Sequence, residues 1–244
     1  MRDLLRKGRK FLRLLAMPGP RAAVLAYGVA ATTEHDYVLE AQPLRTVIDV
    51  GANRGQFSLA ARHYCPQARI IAFEPLVTAA VVYRAIFAED GAVRLHEAAI
   101  SPVAGKATMQ ISKREDSSSL LPISTMQTEL FPTVIAVGTT QVPAGPLSDF
   151  VAGDEIVPPA LLKIDVQGFE LEVLKASIVL LPRFGRIYVE ASFIPLYVGQ
   201  ALAHAVIDFL HVQGFVLTGM FNPTYHPTTG ALVQADLLFE NVKS

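Results

Sequence analysis

The sequence is poor in cysteine and in charge. Its 244 residues include one cysteine, Cys65, and charged residues make up 18%. A single cysteine excludes an internal disulfide and a cysteine-rich zinc cluster, and it suits the reducing cytoplasm. The formal net charge of −1 argues against a protein built mainly to bind nucleic acid, which needs a basic surface to neutralise phosphates. Since 51% of the residues are hydrophobic, the chain can bury a sizeable core, and disorder along its whole length is excluded.

Long hydrophobic runs are also missing. The best candidate covers residues 22–31, about ten residues where a membrane-spanning helix needs roughly 20. A basic start followed by this apolar run resembles a signal peptide, but Pro18 and Pro20 separate the two parts. We therefore expect a protein that works in the cytoplasm and is not secreted.

The charge that is present is uneven, because residues 1–13 hold six cations and one acid. The apolar residues of this segment fall on one helical face and the cations surround the other, which predicts an amphipathic helix. One interpretation is contact with anionic lipid at a membrane surface. The other is packing on its own domain or on a partner, including a second copy in a homo-oligomer. We take residues 1–40 as an N-terminal helical extension or lid, broken near 17–20, and residues 41–244 as the main domain.

From residue 46 onward, short apolar strands alternate with helical segments. The predicted strands cover 46–50, 69–75, 92–100, 160–166 and 186–192, and the predicted helices cover 57–65, 78–89, 169–181 and 204–214. Residues 101–145 interrupt the alternation, and two strand-like pieces at 106–111 and 133–137 predict an insertion that carries a hairpin. Residues 215–220 and 235–240 predict a terminal antiparallel pair. The pattern is typical of an α/β fold with a parallel sheet covered on both faces.

Acidic side chains recur where the predicted strands end. They are Asp49, Glu74, Glu97, Asp165 and Glu190. Ligands of open parallel sheets bind outside the carboxyl ends of the strands. We therefore expect these acids to gather around a binding site.

The first strand runs into a loop, in the stretch VIDVGANRGQF (47–57), that is typical of sites for nucleotide-like ligands. The dinucleotide fingerprint needs G-x-G-x-x-G, whereas here Asn53 stands between Gly51 and Gly55 in place of a middle glycine. Asn tolerates a positive φ better than most residues, so the shape of the loop can survive the exchange.

The acids around this loop favour a ligand without a diphosphate. At about 4 Å and an effective dielectric of about 20, the Asp49 carboxylate would repel a like charge by about 4 kcal/mol, but it would attract an ammonium or sulfonium group. The position of Glu74, at the end of the second predicted strand, suits a carboxylate that accepts hydrogen bonds from two ribose hydroxyls. Ribose with a cationic amino-acid tail describes S-adenosylmethionine. The structural alternative for Asp49 is a cap on the following helix.

Five stretches, taken in order, resemble the FkbM family of S-adenosylmethionine-dependent methyltransferases. They are VIDVGANRGQFS, IIAFEP, SSSLL (117–121), LLKIDVQGFELEVLKA (161–176) and VEASFIPLYVGQ (189–200). The resemblance runs from about residue 34 to about residue 240. It implies a class I methyltransferase (Rossmann-like) fold, with a seven-stranded sheet that is mostly parallel and has an antiparallel last strand. It also implies methyl transfer, mostly to hydroxyl groups of sugars, polyketides and other natural products.

The resemblance further implies which residues bind the cofactor. The first cofactor motif would comprise Asp49, Gly51, Asn53, Gly55 and Phe57. Ribose would be held by Glu74 with Pro75 beside it. The residues near the adenine would be Glu97, Ala98 and Ala99.

Methyl transfer to a hydroxyl requires an acceptor that is aligned with the methyl group and that loses its proton to a base or a metal. Asp165 is the first candidate, either as a base with a raised pKa or as a ligand of a divalent metal such as Mg²⁺ together with Glu190. Contact with the cofactor ammonium, or a cap on the helix after Gly168, stays open as an alternative. His35 is a further catalytic candidate, because it lies where a lid would sit and relatives tend to carry Glu-His there.

Five more residues are candidates for binding the acceptor, which we expect to be a small-molecule or glycan hydroxyl. They are Ser118, Ser119, Lys163, Tyr197 and Gln200. The two serines lie in the insertion, where turn formation explains them equally well. Lys163 precedes Asp165 by two positions, so both side chains should face the same side of the strand.

Two other classes of function remain open. An NAD(P)-linked oxidoreductase is disfavoured by Asp49, by the missing glycine spacing and by the lack of a Tyr-x-x-x-Lys pair. A non-catalytic scaffold with the same fold, which binds a partner or docks on a membrane, is disfavoured by the acids at all of the strand ends.

Overall fold

The computed structural model describes residues 17–242. The basic segment 1–13, for which we predicted an amphipathic helix, lies outside the described residues. Helix α1 covers Pro18–Tyr27, a 3₁₀ turn covers Thr33–His35, and helix α2 covers Asp36–Glu40. Pro18 and Pro20 stand in the first turn of α1, where a missing N–H breaks no helical hydrogen bond.

The described part of the chain contains ten strands and five further helices. The strands are β1 (Thr46–Val50), β2 (Arg69–Phe73), β3 (Val93–His96), β4 (Ala99–Ile100), β5 (Gly105–Ser112), β6 (Ala136–Gly145), β7 (Ala160–Ile164), β8 (Arg186–Ser192), β9 (Phe215–Tyr225) and β10 (Leu232–Asn241). The helices are α3 (Gln56–Tyr64), α4 (Val77–Ile86), α5 (Thr125–Leu130), α6 (Glu170–Ala176) and α7 (Ala203–Val212).

Seven strands form one sheet in the order β3-β2-β1-β7-β8-β10-β9. The first five strands of this order, β3, β2, β1, β7 and β8, pair in parallel, and β10 pairs antiparallel with both β8 and β9. The last strand is therefore inserted between its two predecessors. This confirms the predicted fold class, a class I methyltransferase sheet that is mostly parallel with an antiparallel last strand.

Some predicted boundaries are wrong. The third strand, predicted over 92–100, splits into β3 in the main sheet and β4, which pairs with β6 in a separate three-stranded sheet. The second strand of the insertion begins at Ala136, rather than at 133, because the chain first makes a turn after α5. The helix predicted over 169–181 ends at Ala176, where Ser177 bonds back to the carbonyl of Val173 and competes with helix continuation.

The core lies on both faces of the main sheet. Alternate residues of a strand point to opposite faces, so Val47 packs with α1–α4 while its neighbour Ile48 packs with α6 and α7. Tyr83 of α4 fills the first core, and Leu210 of α7 fills the second. Two buried faces explain why these strands read as continuous apolar runs.

The insertion stands over the carboxyl ends of the main strands. Strands β5 and β6 pair antiparallel, as the hairpin prediction expected, and β4 joins them in the smaller sheet. Ile123 bridges to Tyr197 of the main domain, and an apolar cluster around Leu196, Phe131 and Val233 joins the two parts. This anchor fixes the insertion above the sheet edge where the predicted site lies.

None of the helices within residues 17–242 is long and apolar enough to cross a membrane.

We predict that Gly51→Ala destabilises the fold. Gly51 has φ +80°, and a Cβ placed there would come within 1.8 Å of the carbonyl oxygen of Asp165. The added carbon would therefore push β1 and β7 apart, and we expect a loss of about 2 kcal/mol or more in the free energy of unfolding, measured by urea denaturation. Gly91→Ala is the matched control, because a Cβ there meets open space. Equal stability of the two variants would contradict the packing described for this loop.

Candidate functional site

A cavity of about 240 Å³ lies at the carboxyl ends of β1, β2 and β7. The insertion covers one side of it, and the segment before β1 covers another. Eleven of the residues predicted from the sequence line this first cavity. They are His35, Gly51, Asn53, Phe57, Glu74, Pro75, Ala98, Ala99, Ser118, Lys163 and Asp165.

The loop after β1 curls around one end of the cavity. Gly51, Asn53 and Gly55 all have positive φ, at 80°, 47° and 94°. Asn53 thus takes the left-handed conformation that a middle glycine would supply. Gly55 does not line the cavity, and a Cβ there would come within 2.9 Å of the Phe87 ring, so this position needs glycine for the packing of α3.

Glu74 presents its carboxylate beside this loop. Its two oxygens accept hydrogen bonds from the backbone N–H groups of Asn53 and Leu76, at 2.9 and 2.8 Å. The side chain is buried, and burial raises its pKa to about 7 despite the two backbone hydrogen bonds. A fixed carboxylate of this kind can accept further hydrogen bonds from a pair of hydroxyls.

Beyond Glu74 the cavity becomes apolar. This part of the wall is formed by Phe73, Leu76, Ala98, Ala99, Ile100, Met109 and Leu120. Glu97 lies elsewhere: its carboxylate pairs with Arg84 of α4 instead of lining the cavity. The cause is that β3 ends at His96 and the chain turns towards β4, which directs Glu97 to the helical side.

Asp49 also lies elsewhere than the sequence interpretation placed it. It is not the last residue of β1, and its side chain points into the core beneath α3, where it is fully buried. Its carboxylate accepts a hydrogen bond from Ser58 at 2.7 Å and pairs with the Lys163 ammonium at 3.1 Å. The idea that Asp49 itself selects a cationic ligand is therefore replaced: Asp49 holds Lys163, and Lys163 lines the cavity.

Lys163 connects three parts of the site. Besides Asp49, its ammonium donates to the carbonyl of Gly51 at 3.0 Å and lies 4.0 Å from the carboxylate of Asp165. Burial works to lower the pKa of Lys163, but the two carboxylates outweigh it and raise the pKa above its ordinary value. The side chain is thus a fixed cation that ties β7 to the loop after β1.

Gln167 connects the two acids for which we predicted a metal role. Its Nε2 donates to Asp165 at 2.8 Å and to Glu190 at 3.1 Å. The amide group thus occupies the space between the carboxylates. The described residues contain no group of three or more His, Cys, Asp or Glu side chains suited to a metal ion, so the structure gives the Mg²⁺ hypothesis no support.

His35 is brought into the site by the segment that precedes β1. Its Nδ1 lies 2.9 Å from the Tyr188 hydroxyl, which in turn donates to Asp236 at 3.0 Å. Asn222 also donates to Asp236, at 2.8 Å. Burial lowers the pKa of His35, and Asp236 only partly opposes that shift. The ring is therefore held mainly in its neutral form near pH 7.

A second cavity of about 280 Å³ adjoins the first one and shares Asp116, Asp165 and Gln167 with it. Its other lining residues are Arg114, Ser117, Gln127, Phe131, Val134, Glu190, Thr224 and Gln234. The two cavities meet at the carboxyl end of β7.

Three of the residues predicted to bind the acceptor line neither cavity and instead pack or hydrogen-bond behind the cavity walls. Tyr197 is buried, and its hydroxyl lies 3.0 Å from Gln167 Oε1. Gln200 accepts from the backbone N–H groups of Leu196 and Tyr197. Ser119 is fully buried and accepts from the backbone N–H of Leu121. Ser118 does line the first cavity, where it accepts from the N–H of Ser112.

Sequence reasoning missed Gln167, Tyr188, Asp236 and Gln127. Gln167 lies within the stretch LLKIDVQGFELEVLKA, and its φ of +59° is unusual for a residue other than glycine, but the sequence does not reveal that angle. Tyr188 and Asp236 lie in apolar strands, where nothing local separates a site residue from a core residue.

Comparisons with known proteins agree with this architecture. Residues 49–217 match the methyltransferase FkbM domain. The chain is similar to the 2-O-methyltransferase NoeI of Sinorhizobium fredii (strain NBRC 101917 / NGR234), with 27% identity over 208 residues that cover 83% of this chain and 82% of that protein.

Two solved structures illustrate the likeness in shape. A precorrin-6y C5,15-methyltransferase from Geobacter metallireducens is 14% identical, with 88% of this chain and 94% of that chain covered at a TM-score of 0.46. A 1,6-didemethyltoxoflavin-N1-methyltransferase from Burkholderia thailandensis is 12% identical, with 98% and 85% covered at 0.45. Both TM-scores are low, so the fold assignment rests on the sheet order described above. Because the family match covers more than half of the sequence, the chain belongs to the FkbM methyltransferase family.

Proposed function

We propose that the protein is an S-adenosylmethionine-dependent O-methyltransferase that acts on a hydroxyl of a sugar or a glycosylated metabolite. The observation that carries the proposal is the layout of the first cavity, where the Glu74 carboxylate stands between an apolar pocket and the group formed by Lys163 and Asp165. That order matches a ligand with a flat base, a ribose and a charged amino-acid tail.

The residues present fit S-adenosylmethionine part by part. The apolar end of the cavity would hold the adenine, and Glu74 would accept hydrogen bonds from the ribose hydroxyls. Lys163 would attract the carboxylate of the amino-acid tail, while Asp165 would attract its cationic groups. When bound, S-adenosylmethionine supplies the methyl group. The acids on the cavity wall would instead repel the diphosphate of NAD, which disfavours the oxidoreductase alternative.

Asp165 is the residue we propose for activating the acceptor. It lies where the two cavities meet, and Gln167 fixes the orientation of its carboxylate through a hydrogen bond of 2.8 Å. From that position it can accept the proton of a hydroxyl in the second cavity as the oxygen attacks the methyl group. The similarity to a 2-O-methyltransferase supports an oxygen acceptor.

The place of action that we propose is the cytoplasm, since the single cysteine is buried and suits reducing conditions. Contact of the basic N-terminal segment with a membrane, and assembly into a homo-oligomer, stay predictions.

Binding of the cofactor is the first test. We expect isothermal titration to show that S-adenosylmethionine and S-adenosylhomocysteine bind the folded protein and that NAD does not, because the carboxylates of Glu74 and Asp165 on the cavity wall would repel a diphosphate. Circular dichroism should confirm folding in the same sample. Absence of binding by both sulfur ligands would overturn the proposed function.

The affinity for S-adenosylhomocysteine should rise with pH between about 6 and about 8. An ionised Glu74 accepts ribose hydrogen bonds better than a protonated one, and burial raises the pKa of this carboxyl to about 7. Below that pKa the affinity should fall by up to about tenfold per pH unit, and above it the affinity should level off. Glu74→Gln should weaken binding and flatten this dependence.

Glu97→Gln is the matched control for Glu74→Gln, since Glu97 also follows a strand but pairs with Arg84 outside the cavity. Its affinity and pH dependence should equal those of the wild type. A pH dependence that persists unchanged in Glu74→Gln would remove Glu74 from the ribose role.

Asp165→Asn should lower kcat by about a hundredfold or more, because the amide cannot accept the hydroxyl proton. The measurement is methyl transfer from labelled S-adenosylmethionine to acceptors in a lysate of the source organism. Asp154→Asn, at an exposed position, is the control. If Asp165→Asn loses S-adenosylhomocysteine affinity and keeps kcat, Asp165 serves cofactor binding alone and does not activate the acceptor.

A further inference from the structure

One residue that lines the second cavity, Gln127, has a buried polar atom that lacks a partner among the described residues. Gln127 of α5 is 4% exposed, and its Oε1 makes no hydrogen bond with any residue in the described part of the chain. Its Nε2 lies 3.4 Å from the Tyr197 hydroxyl. If the amide is turned over, the partnerless atom is the NH₂ group instead. A hydroxyl satisfies either orientation, because it can both donate and accept.

The charges of this cavity disfavour an anionic ligand. Among the described residues, the acidic side chains that line it are those of Asp116, Asp165 and Glu190, and the one cationic side chain is that of Arg114. Burial and the neighbouring carboxylates of Asp165 and Asp236 raise the pKa of Glu190 well above its ordinary value, so the negative charge of the cavity rests on Asp116 and Asp165. That guanidinium is already engaged, with Nε and Nη2 at 2.9 and 3.1 Å from the two oxygens of Asp116. An incoming carboxylate or phosphate would therefore meet uncompensated negative charge and no free cation.

The remaining wall suits a ligand with several hydroxyls. Three carboxamides, those of Gln127, Gln167 and Gln234, line it together with the hydroxyls of Ser117 and Thr224. Gln234 donates to Glu190 at 2.7 Å, which fixes the carboxylate that Gln167 holds from the other side. Phe131 and Val134 give the cavity one apolar side against which a ring can lie.

We propose that the second cavity is the acceptor site and that it takes an uncharged polyhydroxylated ring, with Gln127 hydrogen-bonded to one of the ring hydroxyls. The inference rests on the proposed function and deepens it by naming the charge class of the acceptor and the residue that recognises it. Gln127 lines the second cavity and not the first, so its role is to recognise and orient the ring, while Asp165 stands at the reacting hydroxyl.

The test uses ligand-observed NMR on the full chain loaded with S-adenosylhomocysteine. The neutral probes are methyl glucoside and myo-inositol, and the anionic probes are glucuronate and glucose 6-phosphate. We expect saturation transfer to the neutral probes only. Gln127→Leu should weaken their binding about tenfold, because the unsatisfied polar atom and its hydrogen bond both disappear from the site. Equal binding of neutral and anionic probes, or no binding of the neutral ones, would overturn the inference.

Two further variants show whether weaker binding in Gln127→Leu comes from the lost contact or from a general effect of substitution. Gln141→Leu, on the exposed part of β6 and outside both cavities, should bind the neutral probes like the wild type. Thr224→Val removes one hydroxyl from the cavity wall without touching the buried Gln127, and should also weaken binding. If both Gln127→Leu and Thr224→Val bind the neutral probes normally, the ring does not lie in this cavity.

A separate variant tests why the cavity should reject anions. Asp116→Asn releases the Arg114 guanidinium, so glucuronate should now bind; continued rejection of glucuronate would contradict the charge argument.

S-adenosylhomocysteine titration of each variant separates the two proposals. If the wild type fails to bind S-adenosylhomocysteine, the proposed function fails, whereas normal S-adenosylhomocysteine binding without binding of neutral probes overturns only the acceptor inference.

Discussion

The buried pair between Lys163 and Asp49 is the interaction on which the site depends. Burying two charges costs desolvation free energy, which their mutual attraction offsets only when further hydrogen bonds are made. Here Ser58 donates to Asp49, and the carbonyl of Gly51 accepts from Lys163. The pair joins residues directly opposite in neighbouring strands β1 and β7. It therefore fixes the loop that carries Gly51 and Asn53 relative to the strand end that carries Asp165, and so sets the distance between this loop of the first cavity and the junction of the two cavities.

Gln167 extends this arrangement across the sheet. Its amide contacts the acids that follow β7 and lie in β8, and its own oxygen is held by the Tyr197 hydroxyl. The left-handed backbone at Gln167 is what directs the side chain between the two carboxylates. Three strand ends are in this way connected by direct contacts, which leaves little freedom for the groups at the junction of the cavities.

Most of the fold and part of the candidate site could be predicted from the sequence. The apolar strands, the glycine loop and the terminal antiparallel pair all follow from local patterns, and the pairing of β10 between β8 and β9 agrees with the family resemblance. The direction of a side chain near a strand end was harder to predict. Asp49 and Glu97 each follow an apolar run, yet Asp49 is buried beneath α3 and pairs with Lys163. Glu97 lies after the end of β3, where the chain turns towards β4, and pairs with Arg84. The second cavity was not predictable at all, since its walls come from several separate segments between Arg114 and Gln234 that only the fold brings together.

The insertion has a consequence for how new specificities can arise in this chain. Residues 114–120 wall both cavities, with Ser118 and Leu120 at the first cavity, Arg114 and Ser117 at the second, and Asp116 at both. A change of loop that alters the second cavity therefore also reshapes the surface over the apolar end of the first. With the cofactor and the acceptor placed as proposed, evolution, or an engineer exchanging this hairpin between relatives, has to alter acceptor choice and cofactor retention together. Substitutions in this stretch should then be selected as sets and not one at a time.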